Sequence, residues 1–286
     1  MEKRKKIVYL LLALLVFGAI FGGGFLRSER RALAKGTMTP DLVIMGDSIF
    51  ASCRSEDSVG HKIAEALQIE VSDVSFGGTG LCYRDPDGRL SYTGDLFCMS
   101  ALAQAVVTGD FRVQESARIR QNATDYYPER LKELESIDFT GVKVLLIGHQ
   151  LNDYQGGVPL DDPKNQAHAE AEYNYRGALR RVIESLKEHY PELRIVLVSA
   201  PYVWYPEEGT TAEQRDFGHG TLPEYARVQR EMAGEYETGW ISLWDVYPSK
   251  AAEDWYTYTV DGMHPGDLGR ELIAQKLTEE LRTYFQ

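Results

Sequence analysis

The hydrophobic pattern opens with an unbroken apolar run. Ile7 to Leu26 carries no charge over twenty residues. As a helix rising about 1.5 Å per residue, it spans roughly 30 Å, the hydrocarbon thickness of a bilayer. Lys3, Arg4, Lys5 and Lys6 precede it, as expected of a short tail held in the cytoplasm. Ala32-Leu33-Ala34 offers a small-x-small site, so a cleaved signal peptide is the alternative. The apolar run exceeds a usual signal core, and Arg27, Arg30 and Arg31 stand before that site, which favours a retained anchor. No Cys follows closely to carry a lipid. The expected organisation is a cytoplasmic tail (1–6), a transmembrane signal anchor (7–26), a linker (27–39) and a body (40–286) outside the cytoplasmic membrane. Cleavage would make the body secreted.

Within the body the pattern alternates between short apolar runs and amphipathic stretches. Asp41–Gly46, Ile69–Ser75, Val142–Ile147, Leu193–Val198 and Gly239–Leu243 read as strands, several of them apolar throughout. Ser58–Leu67, Ser100–Val107, Tyr127–Leu134, Ala169–Tyr190, Leu222–Gly234 and Asp267–Tyr284 read as helices. Strands alternating with helices predict a parallel sheet covered on both faces. In such sheets ligands bind at the carboxyl ends of the strands. Ser48, Gly77 and Asn152 each follow one of the first three strands.

Charge changes the picture of partners. The net charge is −12, yet residues 1–35 hold eight Lys/Arg against Glu2 and Glu29, so the remainder holds −18. So acidic a body repels phosphate backbones, which argues against nucleic acid and favours a neutral substrate. Three cysteines are too few for a disulfide framework, and none is spaced for zinc. Cys82 and Cys98 either pair in an oxidising space or remain as partly buried thiols.

The candidate chemistry is nucleophilic. A serine hydroxyl needs a base, and a carboxylate must orient that base. Of six histidines, His264 sits in Asp261-Gly-Met-His264-Pro265, three residues after an acid. One ring nitrogen is then within reach of Asp261 and the other is free to face Ser48. An oxyanion needs donors already in place, for which the Ser48 N–H, the Gly77 N–H and the Asn152 amide are candidates.

These residues carry a resemblance. Gly46-Asp47-Ser48-Ile49 resembles the nucleophile block of the SGNH/GDSL hydrolases. Ser75-Phe-Gly77-Gly-Thr-Gly80 is similar to their second block, Asn152-Asp153-Tyr154 to their third, and Asp261-Gly-Met-His264 to their last. The four occur in the family's order across nearly the whole body. The resemblance implies a three-layer α/β/α sandwich with a parallel, flavodoxin-like sheet of about five strands. It also implies ester hydrolysis through an acyl-enzyme on Ser48, with His264 as base, Asp261 as its orienting acid, Gly77 and Asn152 in the oxyanion hole, and neither metal nor cofactor. Two positions depart from the family pattern. Ser75 replaces the usual Asn, and Gly148-His-Gln-Leu-Asn152 has two extra residues, which leaves His149 or Gln150 as alternatives to Asn152.

Each residue also has a plainer reading. Ser48 suits a helix N-cap and Asn152 a cap or turn. Tyr154, Tyr202 and Trp204 are candidate substrate contacts, against ordinary aromatic packing. Asn122-Ala-Thr124 matches a glycosylation acceptor. No GxSxG elbow, P-loop or HExxH helix occurs. The expected substrate is a short acyl ester, such as O-acetyl on cell-surface glycan. The alternatives are a lipase or lysophospholipase, an O-acyltransferase using the same three residues, and a non-catalytic glycan-binding or assembly protein.

Overall fold

The structure, a computed structural model, describes residues 37–84, 93–117, 125–161 and 172–286. Among them five parallel strands form one sheet: β1 (Leu42–Gly46), β2 (Val71–Asp73), β3 (Val144–Gly148), β4 (Arg194–Val198) and β7 (Gly239–Ile241). A small antiparallel ribbon, β5 (Trp204–Tyr205) with β6 (Thr210–Thr211), interrupts the chain between β4 and β7. The spatial order is β2-β1-β3-β4-β7. This is the flavodoxin-like connectivity that the family resemblance implies, and the alternating pattern predicts its parallel strands. β1 and β3 pair along their whole length, from Leu42 opposite Val144 to Gly46 opposite Gly148. Every residue of both strands is buried, because helices cover both faces of the sheet, and their unbroken apolar sequence reflects that.

The helices that matter to the site are α1 (Ser48–Ala51), α2 (Val59–Leu67), α3 (Met99–Thr108), α4 (Tyr127–Glu135), α5 (Leu151–Gln155), α6 (Tyr175–His189), α7 (Leu222–Glu235) and α8 (Asp267–Leu281). α2 packs on α8 on one side of the sheet, whereas α6 packs on α3 and α7 on the other. Local signals set their ends. Ser58 caps α2 by accepting from the His61 N–H at 3.2 Å. Asn174 caps α6 through the Gly177 N–H at 2.8 Å. Thr221 and Glu224 close a capping box on α7.

The main elements fall within a few residues of the expected positions. The strand expected over 69–75 narrows to three residues, because the chain beyond Asp73 leaves the regular ladder. It still follows β1 through Val74 N–H to Ile44 O and Phe76 N–H to Gly46 O, both 2.9 Å. The expected start of the 169–190 helix lies outside the described residues, as do the apolar segment 7–26, the linker up to residue 36 and Asn122–Thr124. Among the described residues, no helix is long and apolar enough to cross a membrane.

Candidate active site

The strand order reverses between β1 and β3, which opens a crevice at their carboxyl ends. β1 ends at Gly46, and the chain turns at once into α1. Asp47 is the N-cap, its carboxylate accepting from the Ile49 N–H at 2.9 Å. The Phe50 ring lies across the ends of both strands. A Cβ on Gly46 would stand 2.6 Å from that ring, and one on Gly148 would also collide with it, so two side-chain-free positions let α1 seat there. This turn presents Ser48, half-buried, at the first position of α1.

His264 arrives from the other end of the chain. Its loop is tied to the ribbon: the Trp204 N–H donates to Gly262 O at 2.8 Å. Gly262 has φ +90°, and a Cβ there would stand 2.6 Å from Trp204 O, so glycine is required. His264 Nε2 lies 2.9 Å from Ser48 Oγ. His264 Nδ1 lies 2.7 Å from Asp261 Oδ2. The other carboxylate oxygen accepts the backbone N–H groups of His264 at 2.8 Å and Met263 at 3.0 Å. Partial burial pushes the Asp261 carboxyl up, but the His264 ring and these two N–H groups outweigh it and hold it below the ordinary carboxylate value. A serine, an imidazole and an ionised acid so arranged can pass a proton from Oγ to Nε2 while the acid fixes the ring's tautomer.

The donors around Ser48 are less uniform. The Ser48 N–H has no acceptor among the described residues. Asn152, in the first turn after β3, has a buried Nδ2 without a partner, a costly arrangement unless something else fills it. The Gly77 N–H is engaged: it donates to the Tyr126 hydroxyl at 2.6 Å. Tyr127 donates in turn to Gly77 O, so two consecutive tyrosines hold both polar groups of one glycine. The alternatives to Asn152 serve the scaffold. His149 is fully buried, its Nε2 3.3 Å from Thr79 Oγ1, and burial pushes its pKa down to about 3, so it stays neutral. Gln150 Oε1 accepts the Ala200 N–H at 2.8 Å. Asp153, fully buried, accepts the Leu81 and Cys82 N–H groups at 2.7 and 2.9 Å and thereby fixes the loop after Gly80.

The pattern that defines the GDSL-like lipase/acylhydrolase family matches residues 44–272, which includes every residue of this site. The chain belongs to that family. As one of its members it is a carboxylic ester hydrolase. No curated protein sequence matches. Solved structures with the same fold include a protein from Lactobacillus plantarum, 18% identical, with a TM-score of 0.60 over 88% of this chain and 100% of that one. A possible lipase from Chitinophaga pinensis is 16% identical, with a TM-score of 0.52 over 85% and 98%. A carbohydrate acetylesterase family member from Sinorhizobium meliloti is 16% identical, with a TM-score of 0.51 over 86% and 99%. At these identities the likeness is one of fold.

In this GDSL-family hydrolase, three expected substrate contacts need correction. Tyr154 is fully buried, donates to Arg215 O at 3.0 Å and packs edge-on against Phe217. Tyr202 and Trp204 are 3% and 2% exposed and form a second core with Tyr247 and Tyr258. Trp204 stacks on Tyr247 and Tyr258 and Tyr202 packs edge-on against Trp204, so both rings support the segment leading to the His264 loop instead of facing a ligand. Cys82 and Cys98 are both buried free thiols, and burial pushes both thiols up. Sequence reasoning missed Tyr126. It is the residue that caps α4, far along the chain from Gly77. The Tyr126-Tyr127 pair at the start of α4 was its only signal.

Proposed function

We propose that this hydrolase removes short acyl groups, acetyl foremost, from cell-surface carbohydrate, and that Ser48 is its nucleophile. The observation that carries the mechanism is the 2.9 Å contact from Ser48 Oγ to a ring whose other nitrogen meets a carboxylate at 2.7 Å. Ser48 Oγ bonds to the ester carbon as its proton passes to His264 Nε2. The carbonyl electron pair moves onto oxygen, which the Ser48 N–H and the Asn152 amide stabilise beside the Gly77 corner. Collapse expels the alcohol, which takes the proton from His264. Water then repeats the sequence on the acyl-serine, with His264 again as base.

The substrate reading rests on different support. The acidic body suits a neutral ester. The segment 7–26 is read as a signal anchor that holds the hydrolase at the outer face of the cytoplasmic membrane. A fold relative described as a carbohydrate acetylesterase family member is compatible with it. A p-nitrophenyl ester series from acetate to palmitate, with Ser48→Ala as control, tests both parts. Preference for acetate with an inactive Ser48→Ala supports the reading. Preference for long chains points to a lipase-type activity, and acyl transfer to an added glycan acceptor points to a transferase. Activity retained in Ser48→Ala removes the mechanism.

A further inference from the structure

The Gly77 N–H, the expected third oxyanion donor, already has an acceptor. Its 2.6 Å bond ends on the Tyr126 hydroxyl. A phenol oxygen can accept and still donate its own proton. The Tyr126 proton has no acceptor among the described residues. The hydroxyl stands on the same side of Gly77 as the nucleophile: a Cβ placed on Gly77 would lie 2.9 Å from the Tyr126 oxygen and 3.6 Å from Ser48 Cβ. The ring is held in place. The Arg54 guanidinium covers it at 4.2 Å from its centroid, and the neighbouring Tyr127 is locked edge-on between Phe76 and Phe97.

From this geometry, and resting on Ser48 as nucleophile, we infer that the Tyr126 hydroxyl replaces the Gly77 N–H as a catalytic donor to the oxyanion. As the bond from Ser48 Oγ to carbon forms and the carbonyl pair moves to oxygen, Tyr126 keeps its proton and directs it at the developing charge. The Gly77 N–H acts one bond behind. By donating into the phenol oxygen it polarises the O–H and makes it a stronger donor. Burial pushes the Tyr126 phenol up, which keeps that proton in place.

Tyr126→Phe tests the inference, because it removes one oxygen and leaves the ring under Arg54. Loss of a preorganised donor costs about 10²–10³ in kcat, and the freed Gly77 N–H can replace part of it. The expected result with p-nitrophenyl acetate is a 10- to 100-fold fall in kcat, with KM unchanged and an unchanged Tm. Affinity for a trifluoromethyl ketone, whose hemiketal carries the oxyanion charge, should weaken by the same factor. A smaller loss, or a gain in activity, in a variant that keeps the wild-type Tm overturns the inference; a gain would mean that Tyr126 blocks the Gly77 N–H.

Should Tyr126→Phe fail to fold, 3,5-difluorotyrosine at position 126 keeps ring and oxygen but ionises at lower pH. The groups facing this phenol are the Gly77 N–H, Arg54 with its partner Asp125, Arg130 and Asp73. None of them is altered by the fluorines. Reversible loss of activity at mildly alkaline pH, where wild type stays active, is expected, and an unchanged profile overturns the assignment. Ser48→Ala run in parallel separates the two levels. If it stays active the nucleophile reading has failed, whereas an inactive Ser48→Ala with a fully active Tyr126→Phe removes Tyr126 alone.

Discussion

Replacing Asp261 by Asn exchanges one carboxylate oxygen for an amide nitrogen. Oδ1 must remain an oxygen, because it accepts the His264 and Met263 N–H groups at 2.8 and 3.0 Å. The new NH₂ therefore faces His264 Nδ1 across the 2.7 Å now spanned by Oδ2. Two donors cannot share that contact, so Nδ1 must lose its proton and Nε2 must carry one. A protonated Nε2 facing Ser48 Oγ cannot accept the serine proton. Where the acid is buried, this tautomer reversal costs about 10⁴ in kcat. Here the Asp261 side chain is 49% exposed and that of His264 30%, so water competes for both groups and the penalty is smaller. We expect a fall of about 10²–10³ in kcat, equivalent to about 3–4 kcal/mol of transition-state stabilisation. KM should not move, because the carboxylate touches the imidazole and not the ester. The assay is steady-state hydrolysis of p-nitrophenyl acetate beside a thermal melt, which should be near wild type since both backbone acceptor contacts survive. A loss below tenfold in a folded variant would refute the reasoning.

Three further outcomes follow from other parts of the site. Asn152→Ala should lower kcat by about 10²–10³, and its Tm should hold or rise slightly, because the buried Nδ2 it deletes has no partner in the resting protein; a large loss of stability would mean that the amide is structural. Gly46→Ala should destabilise the fold by about 1–3 kcal/mol in a denaturant titration, since the added methyl meets the Phe50 ring, and an unchanged midpoint would show that Phe50 is free to move. The Asp47 carboxyl is pushed up to about 7 by burial, with the nearby Asp153 adding and the Ile49 N–H opposing. Unfolded, an aspartate titrates near about 3.9, so between these values the folded protein holds a proton that the unfolded chain has released, and stability falls as pH rises from about 4 to about 7. Asn cannot ionise, so the Tm of Asp47→Asn relative to wild type should climb across that interval by the equivalent of a few kcal/mol; a difference that is flat with pH would show Asp47 to be ionised throughout.

The sheet was legible because its strands are buried on both faces. Leu42–Gly46 and Val144–Gly148 are apolar without interruption, and only a covered parallel sheet makes such runs stable. The meeting of Ser48, His264 and Asp261 was legible for a related reason. Each sits in a short motif whose spacing is fixed by a strand end or a one-turn loop, as Asp261 and His264 are by Gly262. The oxyanion side was harder to read. Which side chain in Gly148-His-Gln-Leu-Asn152 serves the site depends on where each side chain ends up: His149 and Gln150 are fully buried and turn to Thr79 and Ala200, whereas Asn152 is partly exposed and its Nδ2 has no partner. Tyr126 could not be found from spacing at all, since its contact with Gly77 is long-range and follows no period. The aromatics around Trp204 misled in the opposite direction. A cluster near a sheet edge suits a ligand and a core equally well in sequence. Trp244, Tyr247, Trp255 and Tyr258, brought in from much later in the chain, are what bury them.

Nucleophilic catalysis here requires the Ser48 oxygen to become covalently bound. Incubation with a fluorophosphonate, followed by intact-mass and peptide mass spectrometry, reads this directly. A single adduct on Ser48 is expected, together with loss of esterase activity. The adduct should be absent from Ser48→Ala and formed far more slowly by His264→Ala. An adduct on another residue, or full inactivation with Ser48 unmodified, would contradict it.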